Sequence, residues 1–185
     1  MQDNELDLSF CIKEKIREIN FHNLKIGGDK SFSFMTENNN AAHPLFALEF
    51  LYSSNNIIEE LSSPNKADII SVKFDIQDEN FDENEIKEFL TKVEKIVNKP
   101  LILRGANNND IDKKLLPLLA QSINQECIIA FADENTFENI VPSVVKNNHI
   151  LVLRSPIDIN LAKELNILSI DKGISPDRIL IDPDM

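Results

Sequence analysis

Residues 127–153, CIIAFADENTFENIVPSVVKNNHILVL, contain one complete repeat of the pattern that decides the fold. Cys127–Ala132 is an unbroken apolar run, the mark of a strand covered on both faces, where a half-exposed strand would alternate. Asp133, Glu134 and Asn135 interrupt it. Thr136 then opens a helical pattern reaching Lys146, which Pro142 is expected to bend or divide. Ile150–Leu153 repeats the apolar run. Strand, helix and strand at this spacing imply parallel strands joined by a right-handed crossover.

The same pattern extends in both directions. Further apolar runs are Leu45–Phe50, Ala67–Phe74, Leu101–Leu103 and Ile179–Ile181. Helical stretches lie between them. Asn56–Leu61 is short. Asp82 caps a second that runs to Val97, with Glu85 three residues on as in a capping box and Ile86, Phe89, Leu90, Val93 and Ile96 along one face. Asp110 or Asp112 opens a third, with Leu115, Leu116, Leu118, Leu119 and Ile123 as its apolar set. Asp158 opens a fifth, with Leu161, Leu165 and Ile167 expected inward and Gly173 just past its end. The first 44 residues differ. Ile12–Ile19 reads as a short helix, and Leu24–Gly28 and Ser31–Phe34 as two strands around a Gly-Gly-Asp turn.

Six strands and five helices of this kind fit either an open doubly wound sheet or an eight-unit barrel. No G-x-G-x-x-G follows the first strand and no G-x-x-x-x-G-K-[ST] occurs, so both nucleotide-binding fingerprints are missing and the barrel is favoured. The expected fold is an α/β, TIM-type (β/α)8 barrel, truncated after about six strands, with residues 1–44 as a short N-terminal β-hairpin extension and 45–185 as the partial barrel.

Composition sets the outer bounds. The chain has 185 residues, 42% of them hydrophobic and 27% charged, enough for one domain with its own core. A net charge of -12 repels nucleic-acid backbones and anionic lipid. The two cysteines, Cys11 and Cys127, form no C-x-x-C pair that would hold a cluster or structural zinc. Isolated thiols and an acidic N-terminus without an apolar signal core point to a reducing, cytoplasmic setting, and no apolar run approaches the ~20 residues of a membrane span. His22, His43 and His149 lack metal-ligand spacing.

Several segments resemble one family. Ser155–Leu168 (SPIDINLAKELNIL) is similar to the SPLDINLAKQLNIL segment of the small (delta) subunit of the corrinoid iron–sulfur protein of the CO dehydrogenase/acetyl-CoA synthase system. Gly173–Pro183 resembles its G-x-x-x-DRI-x-x-DP ending, and Lys25–Gly28, Pro44–Glu49 (PLFALE) and Leu101–Gly105 match in the same order. The resemblance covers the N-terminal part of the family pattern, which continues DPTTGALGYG where this sequence has Asp182-Pro183-Asp184-Met185. It implies a non-catalytic subunit that forms a heterodimer with a large corrinoid iron–sulfur subunit. That complex takes a methyl group from a methyltetrahydropterin-dependent methyltransferase and passes it to acetyl-CoA synthase. The corrinoid (cobalamin) would be held mainly by the partner. The same barrel would also serve a pterin-dependent methyltransferase or dihydropteroate-synthase-like enzyme, or stand as an inactive fragment.

Barrel chemistry sits at the C-terminal ends of the strands. The polar residues there are Glu49, Lys73, Arg104, Asp133, Ser155, Asp158, Asn160 and Asp182. The edge of a pterin or corrinoid calls for carboxylate and amide groups, which singles out Asp133, Asn160 and Asp182 as cofactor-binding candidates. Each competing role is simple. Asp158 reads as a helix cap, Asp182-Pro183 as a turn cap, and Glu49 as an ion-pair partner of Lys73 or Arg104. Ser155 lacks nucleophile context. Arg104–Asn107 reads as a solvated loop or a phosphate-binding one.

Overall fold

The computed structural model describes residues 17–28 and 44–184. An antiparallel hairpin, β1 (Glu18–Phe21) and β2 (Leu24–Gly27), precedes a six-stranded parallel sheet in strict sequence order. Its strands are β3 (Ala47–Leu51), β4 (Ile69–Lys73), β5 (Leu101–Arg104), β6 (Cys127–Ala132), β7 (Ile150–Arg154) and β8 (Ile179–Asp182). Helices α1 (Ile57–Ser62), α2 (Glu83–Ile96), α3 (Asn109–Ser122), α4 (Phe137–Asn147) and α5 (Ile159–Asp171) alternate with them, and a 3-10 turn, Pro176–Arg178, leads into β8. This is an α/β fold with the sequential parallel order of a partial (β/α) barrel.

Alternate residues of each strand serve two different cores. Ile70, Val72, Leu101, Leu103, Ile129, Leu151 and Leu153 face the helices and join Leu90, Leu116 and Ile140 in the main cluster. The opposite face carries Ile102, Ile128, Ile150, Val152 and Leu180. The hairpin covers part of that inner face. Ile19 and Phe21 are 2% and 0% exposed against Ile128, Ala130, Ile150 and Val152. His22 Nε2 lies 3.0 Å from the Glu126 carbonyl just ahead of β6, so the hairpin seals the N-terminal end of the strands. The C-terminal end faces the other way.

Five local readings need correction. The hairpin lies earlier than the Gly-Gly pair suggests, with its turn at His22-Asn23 and Leu24–Gly27 as its second strand. Arg17 is outside any helix and Glu18 and Ile19 are strand; residues 12–16 of the expected Ile12–Ile19 helix and the Ser31–Phe34 strand fall outside the described residues. Gly27 and Gly28, at φ 80 and 79, end the strand: a Cβ on Gly27 would meet the Arg17 carbonyl oxygen at 2.6 Å. Helix α3 is capped by Asn108, whose side chain accepts from Asp110 N and Ile111 N, and not by either aspartate. Ile167 is 56% exposed while Leu165 is 2% exposed, because two residues on a helix are about 200° apart. Helix α4 is undivided by Pro142.

Candidate functional site

The C-terminal ends of β5, β6 and β7 bring two arginines to one aromatic ring. The register of β6 against β7 shifts between Ala130 and Ala132, so Phe131 joins Ala130 on the inner face. The Arg154 guanidinium carbon lies 3.9 Å from the Phe131 ring centroid, and that of Arg104 4.9 Å. Contacts of this kind contribute about 0.5–2 kcal/mol each, more as water is excluded. The Nε atoms of both arginines are buried without a hydrogen-bond partner among the described residues. Stacking and terminal contacts therefore hold these side chains. Arg104 pairs through its Nη1 with Glu49, which also accepts from Ser71 Oγ at 3.3 Å. Arg154 Nε lies 3.9 Å from an Asp184 oxygen, and its Nη1 reaches the Asn107 side-chain oxygen at 3.5 Å. Glu49 thus takes Arg104 of its two expected partners.

A cleft of about 40 Å³ opens beside this stack, lined by Asn107, Asp112, Phe131, Asp133, Thr136 and Arg154 among others. Its acids are committed locally. Asp133 Oδ1 accepts from Asn135 N at 2.9 Å, Thr136 N at 3.0 Å and Thr136 Oγ1 at 2.9 Å, which fixes the entry to α4. Asp112, 6% exposed, accepts from Ala106 N at 2.7 Å and Asn108 N at 3.2 Å. Burial pushes its pKa up, against the pull of those backbone donors. The Arg104–Asn107 loop therefore already encloses an anion of its own. That is also why residue 105 is glycine: a Cβ there would stand 2.3 Å from Asp112 Oδ1.

The three residues chosen from sequence separate. Asp133 lines the cleft. Asp182 stands beside Arg154 in the β7–β8 register, and its Oδ1 accepts from Asp184 N at 3.0 Å, as a turn cap would. Asn160 is exposed in the first turn of α5 and outside the cleft lining. Asp158 caps that helix, accepting from Asn160 N at 2.8 Å and Leu161 N at 3.2 Å. Ser155 Oγ donates to the Asp158 carbonyl at 2.7 Å, a structural bond. The reading missed Phe131 and Arg154. A signal was present: Leu101–Arg104 (LILR) and Leu151–Arg154 (LVLR) end alike, with arginine at the C-terminal tip of the strand.

The model of the CO dehydrogenase/acetyl-CoA synthase delta subunit family matches residues 48–185, which takes in the five strand–helix units, from the second residue of β3, and the final strand β8. The chain belongs to this family. Its similarity to two curated delta-family relatives is distant. The acetyl-CoA decarbonylase/synthase complex subunit delta of Methanocaldococcus jannaschii is 28% identical over 122 residues, covering 63% of this chain and 30% of that protein. The protein of the same name from Methanopyrus kandleri is 25% identical over 101 residues, covering 54% of this chain and 25% of that protein. This delta-family chain thus matches under a third of the length of either relative. No helix among its described residues is long and apolar enough to cross a membrane.

Proposed function

We propose that this chain serves as delta-subunit barrel in a corrinoid iron–sulfur methyl-carrier complex. There it pairs with a large subunit and helps present the methyl group between a methyltetrahydropterin-dependent methyltransferase and acetyl-CoA synthase. The observation that carries the reading is the family match across residues 48–185, the six-stranded sheet from the second residue of β3. The geometry of the mouth agrees with a positioning role. Its acids are engaged in backbone hydrogen bonds and ion pairs, and the Phe131 ring there is contacted by two guanidinium groups.

A corrinoid fits this mouth only by an edge. The cleft of about 40 Å³ is far below the roughly 300–1,000 Å³ of enclosing ligand pockets. When bound, the corrinoid supplies the methyl-carrying chemistry and is held mainly by the large subunit. Arg154, Asn107 and Asp182 would meet its polar periphery, with Asp133 holding the loop beside them.

The test is co-expression of the chain with a large corrinoid iron–sulfur subunit, followed by size exclusion read at a corrinoid absorbance wavelength. Co-elution at heterodimer mass supports the reading, and Arg154→Gln is expected to lower the corrinoid signal relative to protein. Elution of the chain apart from the large subunit overturns it. Saturable pterin binding by the isolated chain would then favour the methyltransferase alternative.

A further inference from the structure

A groove of about 320 Å³ runs along the rim of the C-terminal face, between Tyr52, which follows β3, and the segment joining β4 to α2. Its floor is apolar, built from Tyr52, Ile76 and Phe81, all packed against the main core. Its rim is acidic, formed by Asp78, Asp82 and Glu85. Residues 74–86 include six acidic side chains and no basic one. Neighbouring lysines neutralise outward-facing acids: Lys114 pairs with Glu79 at 3.4 Å and Lys87 with Glu83 at 3.3 Å. Among the described residues no ion pair joins Asp78, Asp82 or Glu85 to a cation. Asp78 and Asp82 each use one carboxylate oxygen on nearby backbone N–H groups, at 2.8 Å from Asn80 N and from Asn84 N.

We propose that this groove docks a lysine- or arginine-bearing segment of a partner polypeptide. An apolar floor beneath a carboxylate rim is complementary to those two side chains, whose aliphatic stems lie on apolar surface while the charged head stays at the polar edge. The rim repels phosphate and carboxylate ligands. It adds to the repulsion expected from a chain of net charge -12. A cationic segment also relieves the mutual repulsion of three carboxylates crowded on one edge. Neither the groove nor its charge rests on the family reading, and the site lies apart from the Arg104–Phe131–Arg154 stack.

The chain holds one tyrosine and no tryptophan, so its tyrosine fluorescence comes from Tyr52, in the groove floor. Burial, together with Glu85 beside the hydroxyl, pushes the Tyr52 phenol up to about 12, and a cation seated at the rim would draw it back down. The experiment titrates the full chain with acetyl-Leu-Arg-Leu-Lys-amide at about 0.15 M ionic strength. A saturable change in Tyr52 emission is expected, and none with the peptide carrying glutamine at both basic positions. Asp78→Asn combined with Glu85→Gln is expected to weaken binding at least tenfold. Because Glu85→Gln alters the tyrosine environment directly, Asp78→Asn alone and calorimetric titration of both variants provide a second reading, with far-UV circular dichroism confirming the fold. No saturable response, equal binding of the glutamine peptide, or undiminished affinity in both variants overturns the proposal.

Discussion

His149 is 1% exposed, beside the start of β7. Its Nε2 lies 2.8 Å from the Ala120 carbonyl, and its Nδ1 accepts from Cys127 N at 3.3 Å. These partners fit the neutral ring with its proton on Nε2. Burial lowers its pKa below the ordinary 6.5, with Arg178 acting in the same sense and the Ala120 carbonyl and Glu126 opposing. The folded chain then binds fewer protons at this site than the unfolded chain. Stability therefore falls as pH drops through 6.5 toward the lowered folded value. His149→Gln keeps a donor and an acceptor but does not titrate. The variant is expected to be less stable near neutrality, and its deficit to narrow as pH is lowered from about 7.5 to 5.5, by up to ~1.4 kcal/mol per pH unit. Urea unfolding of both proteins across that range checks this, and a constant deficit would show that the ring does not titrate with folding. Asp112, raised by burial, acts with the opposite sign, gaining stability as it protonates in more acidic solution.

Capping decides the behaviour of single elements. Asp82 Oδ1 accepts from Asn84 N and Glu85 N at the head of α2, so Asp82→Ala is expected to cost about 1 kcal/mol. For a chain of this size that is a fall of roughly 2–4 °C in Tm by circular dichroism. Asp110→Ala is expected to stay within about 0.5 kcal/mol, because Asn108 caps α3 and the Asp110–Lys113 pair is an exposed one at 3.8 Å. The same contrast explains what the sequence made legible. Strands β4 to β7 could be read because burial on both faces leaves continuous apolar runs. The N-terminus of α3 could not, since Asn107 to Asp110 is a row of competent caps and only tertiary position selects Asn108. Gly27-Gly28 looks like a turn, yet its positive φ ends a strand against Arg17. At the mouth, strand ends revealed where polar residues gather and that Asp182 could cap its own turn, but not that Asp133 would be absorbed by the turn into α4. The Phe131 stack depends on a register shift that no periodicity announces.

Among the described residues the six-stranded sheet ends in two apolar margins. At β3, Phe46 and Leu51 are 66% and 45% exposed; at β8 and α5, Ile159 and Ile181 are 68% and 47% exposed. Among the described residues, β3 and β8 each have a neighbouring strand on one side only. Charge opposes contact between copies and salt screens it. Light scattering of the isolated chain is accordingly expected to rise with ionic strength and to drop in the Phe46→Lys, Ile181→Lys double variant. Unchanged scattering in that variant would clear these margins of the association. The two margins are unlike, so a contact between β8 of one copy and β3 of the next would be head-to-tail, without a twofold axis. Every addition regenerates the same pair of ends. Growth of this kind is step polymerisation: a broad ladder of lengths whose mean tracks concentration, where a closed dimer would give one sharp species.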